Sequence, residues 1–429
     1  MNSSSAHRGR SPDRAADRAP SAALGILFER ARDLPASGTS GNMPRRRLGR
    51  VAVIASLACL AAFANPGFAQ DATVTVRIGS AEPMTGGLAA VGMDNTNAVR
   101  MAIEELNRRA MVIGGKRVLW ELDAQDDQGD PRQATQVAQK FVDEKVNGVV
   151  GHLNSGCTYP ASRIYNEAGI PDITPSSTDP KIAEQGYKTF FRIIANDNAL
   201  GAGLANYAKK DLKAKTVAVI DDRTAYGQGV ADVFAKTAKK DGLKVLDREY
   251  TNDKATDFSA ILTKIKSLHP DVIFYGGMYS QAGPMLRQIQ QLGIKTHFMG
   301  GDGICAPELA KLAGDAADIT VCAEGGSPIA KMPGGTAWKK RYDAEFGPSA
   351  FQIYSPYSYD ATMVLAKAME KAGSVEPAKF LKYIRNIDYN GVTKNDIHFE
   401  KDGNLADPTI TLSAFDHGVK KVVAVEQVK

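Results

Sequence analysis

The feature that most constrains this chain is a regular exchange between two hydrophobic periods. Val74-Thr75-Val76-Arg77-Ile78-Gly79 reads as a strand. Val99, Ile103 and Leu106 then recur at the spacing of one helix face. Val118-Leu119-Trp120-Glu121-Leu122 reads as a second strand, and Pro131 opens a helix with Val137 and Phe141 on one face. Val149-Val150-Gly151 is a short buried strand, with a helix expected near 159–166. Strands that alternate with helices in this way form parallel βαβ units.

A second cycle begins near residue 215. Thr216–Ile220, Val245–Tyr250 and Asp271–Tyr275 read as strands, and His297-Phe298-Met299-Gly300 as a fourth. Helices fall between them, one from about Gly227 to Lys240, one carrying Ile261, Ile265 and Leu268, one carrying Leu286, Ile289 and Leu292. Helices around 335–346 and 357–372 follow, then a β-rich tail from 396 onward. The expected fold class is α/β, with two similar Rossmann-like lobes, each with a parallel-sheet core.

The N-terminal part has a different character. Arg45, Arg46, Arg47 and Arg50 precede an uncharged apolar run from Val51 to Ala64. Gly67 and Ala69 then supply small residues at the −3 and −1 positions of a cleavage site. That order is a secretory signal peptide over 43–69, cut near Ala69. The apolar run is shorter than the roughly 20 residues a membrane-spanning helix needs. Residues 1–42 are rich in Arg, Ser, Ala and Pro and read as disordered, or as a tract ahead of a true start at Met43. Cys59 sits within the apolar run and is followed by more apolar residues, which argues against a lipid-anchored product.

Removing the leader changes the charge. Residues 1–69 hold ten arginines and four acids, so the chain totals of 53 basic and 48 acidic residues fall to 43 and 44. No basic excess remains to indicate nucleic acid or a membrane surface as a partner. The expected product is exported, periplasmic and soluble. Of its three cysteines, Cys305 and Cys322 are a candidate disulfide across a short loop, and Cys157 is left over as a buried small hydrophobe.

In open α/β sheets, ligands bind at the carboxyl ends of strands. The strand-to-helix junctions are therefore the candidate site. One is Gly151-His152-Leu153-Asn154-Ser155-Gly156-Cys157-Thr158, and another is Ile173-Thr174-Pro175-Ser176-Ser177-Thr178. Hydroxyls beside free backbone N–H groups can hold a carboxylate, and they can equally be helix caps. Asp302 lies between glycines after the 297–300 strand, where it could pair with an ammonium or make a turn. Tyr226, in Thr224-Ala225-Tyr226-Gly227-Gln228-Gly229, could cover an apolar ligand or simply pack. No dinucleotide fingerprint, phosphate loop or nucleophile elbow is present, and His152, His269, His297, His398 and His417 show no zinc spacing. The residues call for no enzyme, cofactor or metal.

Taken in order, these segments resemble the branched-chain amino-acid binding proteins of bacterial ABC importers, which have the type I periplasmic binding protein fold. The resemblance runs from about Val74 to Val425. It is carried most specifically by Asp126–Pro131, Gly151–Ser155, Ile173-Thr174-Pro175, Tyr226–Gly229, Tyr275-Gly276-Gly277 and Phe298-Met299-Gly300. It implies that Ser155, beside Asn154, and Thr178 take the ligand carboxylate, with a backbone group from Ser176. Asp302 would take the ammonium, and Tyr226 would cover the ligand. Val91 and Met278 stand where leucine-binding members carry aromatics, Asp302 stands for a Glu, and Tyr354 replaces a further aromatic, with Phe351 as its rival. The family's disulfide would fall at Gly129 and Asn154 and is absent.

The resemblance implies a three-segment hinge near 196–199, 325–330 and 402–408. Lobe 1 is then 71–196 and 328–404, and lobe 2 is 197–327 and 405–429. The expected function is capture of a small amino acid, branched-chain or related aliphatic, for a membrane permease and ATPase, by a monomer. The alternatives are an amide, urea or aromatic acid as ligand, or a ligand-sensing receptor or regulator.

Overall fold

A computed structural model describes residues 72–428. The N-terminal tract, the signal peptide with Cys59, and the cleavage point near Ala69 lie outside the described residues.

The first sheet contains β1 (Thr73–Glu82), β2 (Val112–Ile113), β3 (Lys116–Asp126), β4 (Gly148–Gly151), β5 (Asp172–Thr174) and β6 (Phe190–Arg192). Their order is β2-β3-β1-β4-β5-β6, parallel except for the short β2. The second sheet contains β7 (Thr216–Asp221), β8 (Lys244–Tyr250), β9 (Val272–Gly276), β10 (His297–Gly300), β11 (Thr320–Gly325), β12 (Thr409–Asp416) and β13 (Val419–Gln427). Their order is β13-β12-β11-β10-β9-β7-β8, with β12 and β13 antiparallel at one edge. In both sheets strand order reverses beside the first strand, which opens a crevice at the carboxyl ends.

Helices α1 (Ala89–Arg109), α2 (Pro131–Asp143), α3 (Ser155–Ala168) and the short α4 (Lys181–Glu184) accompany the first sheet. With the second come α5 (Asp197–Lys210), α6 (Ala225–Lys240), α7 (Ser259–Leu268), α8 (Tyr279–Gln291) and α9 (Glu308–Ala313). Helices α10 (Gly335–Phe346), α11 (Ser355–Ala372) and α12 (Pro377–Arg385) then turn back to the first sheet. The Tyr342 hydroxyl of α10 donates to Asp94 Oδ1 of α1 at 2.6 Å, and α11 packs on α1, β4 and β5. The chain thus passes between the sheets after β6, after β11 and before β12.

Local signals explain most boundaries. Asp130 caps α2, accepting from Arg132 N (2.8 Å) and Gln133 N (3.0 Å), with Pro131 at the first helical position. Such a cap contributes about 1 kcal/mol. Helix α3 differs from expectation. It starts at Ser155 rather than near 159 and carries Pro160 inside. Proline suits a first turn, so it draws the expected start toward itself, but capping by the Asn154 backbone comes earlier. Ser155 is therefore a first-turn residue, not a loop residue. The expected strand at 118–122 extends over the whole of β3, and β2, β6, α5, α9, β11 and α12 are elements the sequence pattern did not reveal.

After β11 the chain passes close to α11. Gly326 has φ +91°, and a Cβ there would collide with the Tyr357 hydroxyl, which donates to Gly325 O at 2.9 Å. Cys305 and Cys322 form a buried disulfide, with Cα atoms 5.5 Å apart and a sequence separation of 17. It ties the turn after β10 to β11. Cys157 is buried and free, and burial pushes its thiol pKa up.

Two outcomes follow for the cysteines. Replacing Cys305 and Cys322 together by serine should lower unfolding free energy by about 2–4 kcal/mol in urea titration, the usual scale for a short closed loop. Cys157 should resist a thiol reagent in the native protein and react fully once it is unfolded.

Candidate functional site

The carboxyl ends of β4 and β5 are joined by side-chain hydroxyls. His152 O accepts from Ser177 Oγ (2.9 Å), Thr174 Oγ1 (3.0 Å) and Thr158 Oγ1 (3.2 Å). Leu153 O accepts from Ser177 Oγ (3.0 Å) and Ser176 Oγ (3.3 Å). Ser155 Oγ in turn accepts from Thr178 N and Asp179 N, both at 3.2 Å. The two junctions are therefore one rigid unit. A hydroxyl that accepts two bonds still has its own proton to donate, so Ser155 retains one donor.

Two buried groups hold this unit from behind. His152 Nδ1 lies 2.7 Å from Asp127 Oδ2 and its Nε2 lies 3.0 Å from the Tyr165 hydroxyl, all three residues being buried. Arg192, fully buried on β6, donates to Thr178 O (3.2 Å) and Asp179 O (2.6 Å). Burial lowers its pKa to about 10, opposed by the carboxylates of Asp197 and Asp179. It stays a cation at neutral pH.

The second sheet contributes Asp302 and Tyr226. Asp302 opens a single 3-10 turn, Asp302–Ile304, after β10. Gly303 N donates to the Tyr226 hydroxyl (2.8 Å) and to Asp302 Oδ1 (3.1 Å). A Cβ at Gly303 would lie 2.6 Å from Gly277 O and 2.7 Å from Tyr226 Cε1, so only glycine lets the ring lie there. Thr224 caps α6 through Gly227 N (3.0 Å) and thereby places Tyr226 in its first turn. Burial raises the Asp302 pKa to about 6, although the Tyr226 and Tyr354 hydroxyls pull it back down.

Several buried polar atoms between the sheets have no hydrogen-bond partner. They include Thr178 Oγ1, Asp302 Oδ2, both carboxylate oxygens of Asp197, Asn154 Oδ1 and Asp222 Oδ2. Thr178 lies close enough to Asp197 to favour its ionised form, without reaching hydrogen-bond geometry. Buried polar groups are rarely left unpaired, and each costs about 1–3 kcal/mol.

The residues singled out from sequence divide between two adjoining spaces. An open cleft of ≈ 710 Å³ is lined by Asn154, Ser155, Tyr226 and Met278, with Leu88 and Arg223. A much smaller inner space of ≈ 10 Å³ is lined by Val91, Met278, Asp302 and Tyr354, with Leu153 and Ile353. Met278 and Leu88 form the wall between them. Ser176 and Thr178 line neither space, and the Ser176 N–H is already held by Thr174 Oγ1 at 3.3 Å. Phe351 lies elsewhere, packed edge-on against Trp338 and Tyr342. A Cβ at Gly129 would lie 3.2 Å from Asn154 Oδ1, so those two positions are neighbours. A separate hollow of ≈ 490 Å³, lined by Asp271, Lys295 and His297, lies at the amino ends of β9 and β10, away from this chemistry.

Sequence reasoning missed Arg192 and Asp197, and it named Ser177 only as one hydroxyl of the second junction. Arg192 had a usable signal, since it is a cation inside the apolar run Phe190–Ile194. Asp197 had none, because an acid at a helix start is ordinary.

Comparison with known proteins adds the following. Residues 75–426 match the family described as periplasmic binding protein. A Leu/Ile/Val-binding protein homolog 1 from Brucella suis is 34% identical over 351 residues, covering 82% of this chain and 93% of that one. A leucine-, isoleucine-, valine-, threonine-, and alanine-binding protein from Pseudomonas aeruginosa is 35% identical over 347 residues, covering 81% and 90%. Among solved structures, the branched-chain amino acid transporter substrate binding protein LivJ from Streptococcus pneumoniae, in complex with isoleucine, superposes with a TM-score of 0.74 at 28% identity, covering 83% and 99%.

Proposed function

The chain belongs to the periplasmic binding protein family, and on that premise we propose that it captures a small amino acid, branched-chain or related aliphatic, between its two lobes for an ABC importer. One observation carries this reading. Among the unpartnered buried atoms are a hydroxyl carried by the first sheet and a carboxylate oxygen carried by the second, Thr178 Oγ1 and Asp302 Oδ2. A donor and an acid acceptor set apart in this way suit the two ends of a zwitterion. The binding named for the relatives above supports it.

In this mechanism the first lobe takes the carboxylate through the hydroxyls of Ser155 and Thr178, while Ser176, bonded to Thr174 Oγ1 and Leu153 O, braces the seat. Arg192 keeps the carbonyls of Thr178 and Asp179 turned away from the anion. The second lobe brings Asp302 to the ammonium and the Tyr226 ring over the ligand. Val91, Met278 and Tyr354, with Asn154 at the cleft, surround the side chain. The inner space is too small for an amino acid, so entry requires the lobes to part at the three chain crossings. Ligand then favours the closed form because only that form makes both sets of contacts. No helix among the described residues is long and apolar enough to cross a membrane. An exported, leader-cleaved monomer that hands its ligand to a permease and ATPase fits this reading.

Titration calorimetry of residues 70–429 against the twenty amino acids, small amides, urea and benzoate tests the proposal. Heat should appear with aliphatic amino acids. Binding of amides, urea or benzoate alone would replace the amino-acid reading. Ser155→Ala and Asp302→Ala should each weaken binding by about 10- to 100-fold, the scale of one charge-assisted hydrogen bond.

A pH dependence follows from Asp302. The ammonium selects the ionised carboxylate, and the free protein ionises Asp302 only above about pH 6. Affinity should therefore rise with pH up to about 6 and then level off, falling up to about tenfold per unit below it. Calorimetry at pH 5 in buffers of different ionisation enthalpy should show net proton release on binding.

A further inference from the structure

The second and third chain crossings enclose a hollow of ≈ 180 Å³ that the mechanism above leaves unused. One wall belongs to the second sheet, with Glu324 of β11, Thr411 and Ser413 of β12, and Lys420 and Val422 of β13. The other wall comes from the segment that turns back to the first sheet, with Met332, Phe351, Gln352 and Ile353, and Tyr357 of α11. Ile353 also lines the inner ligand space, so the two spaces share a side chain. Val422 is exposed, which puts the mouth of the hollow beside β13.

Most polar groups around the hollow are already engaged. The Tyr357 hydroxyl donates to Gly325 O (2.9 Å) and Thr411 Oγ1 to Gly326 O (2.7 Å). Glu324 and Lys420 pair with each other, and Lys420 Nζ also donates to Cys305 O at 3.0 Å. Two side chains differ. Gln352 and Ser413 are only 3% and 1% exposed, yet Gln352 Oε1 and Ser413 Oγ have no hydrogen-bond partner. Gln352 Nε2 donates to Glu308 Oε1 at 3.2 Å, and a carboxylate accepts only from the amide nitrogen, so the oxygen is the free end.

Buried polar atoms are seldom left unpaired. Water would satisfy these two and leave Met332, Phe351, Ile353 and Val422 wet; a molecule with an apolar body satisfies both kinds of lining. Small-molecule sites are mainly apolar with a few placed polar groups, and they favour domain interfaces. The volume falls below the roughly 300–1,000 Å³ of a drug-sized site, so the occupant is small. The nearby charges of Glu324 and Lys420 already neutralise each other, so it is also uncharged.

We propose that this hollow is a second binding site, for a small uncharged molecule with an apolar body and one hydroxyl. A hydroxyl donates and accepts at once, which suits Gln352 Oε1 together with Ser413 Oγ. The occupant touches both walls, and parting of the lobes at the crossings draws those walls apart. It therefore favours the closed form and tightens amino-acid binding, and the amino acid tightens the occupant by the same factor. That coupling rests on the amino-acid reading of the cleft, whereas the site in the hollow does not.

The test uses benzyl alcohol and ethylbenzene, its counterpart of equal size without a hydroxyl, titrated into residues 70–429. Methyl NMR signals of Met332 and Ile353 report the hollow directly. Benzyl alcohol should shift both saturably, and ethylbenzene should bind at least about threefold more weakly. Gln352→Leu and Ser413→Ala should each weaken benzyl alcohol by about 3- to 10-fold, the scale of one neutral hydrogen bond. Saturating benzyl alcohol should tighten binding of the best amino acid of the panel, starting with l-leucine, by about fivefold or more in calorimetry. A hollow that holds water only, with no saturable shift, overturns the site. So does ethylbenzene binding as tightly as the alcohol, or a folded variant that loses nothing. Should either variant fail to fold, the other is read, and the comparison of the two probes on the wild type stands without both. Saturable binding with unchanged amino-acid affinity overturns the coupling. A wild type that binds no amino acid overturns the reading of the cleft and leaves the benzyl alcohol result to decide the hollow.

Discussion

A carboxylate removed from water has to be paired, hydrogen-bonded or neutralised, because an isolated buried charge costs more than a domain can spare. This fold places Asp302 and Asp197 in that position at the seam between its two sheets. Much of the surrounding structure serves to hold them there. The disulfide from Cys305 fixes the turn that carries Asp302. The Tyr226 hydroxyl and Gly303 N brace the same turn. Arg192 fastens the loop that carries Thr178, and Thr178 O fixes the start of α5. Under the proposed function, the ligand is the missing counter-ion, and closure is favoured because it supplies one.

The opposite wall works by neutral hydrogen bonds. Ser177, Thr174, Thr158 and Ser176 spend their hydroxyls on the carbonyls of His152 and Leu153. This leaves Ser155 and Thr178 as the hydroxyls with a donor to spare. A carboxylate held by neutral donors needs no cation in direct contact, although Arg223 and Lys254 line the open cleft. The rigid seat and the acid-bearing turn sit on different sheets, so neither sheet alone can satisfy a zwitterion.

The architecture was largely legible because period and length are local properties. The alternation from Val74 to Gly300 places most strands and helices of both sheets, though not β2, β6 or α5, and the structure is α/β with two parallel-dominant sheets. What was hidden depends on contacts between distant segments. The start of α3 moved to Ser155 because Pro160 is tolerated inside the helix. Helix α12 is short, and its apolar stripe reduces to Phe380 and Ile384. At the site, sequence pointed to junctions and brought out Ser155, Tyr226 and Asp302, but it could not divide them between an open cleft and an inner space. It could not show that Ser176 is already bonded on both its hydroxyl and its N–H. Asp197 looked like any helix start until its burial was known.

The central claim is one of placement, that atoms from two lobes read the two ends of one zwitterion. A crystal structure of the protein with a bound aliphatic amino acid tests this most directly. The account predicts the ligand carboxylate within hydrogen-bond distance of Ser155 Oγ and Thr178 Oγ1, and its nitrogen within the same distance of Asp302. A ligand bound in the reverse sense, or one that leaves Thr178 and Asp302 without a contact, would contradict it.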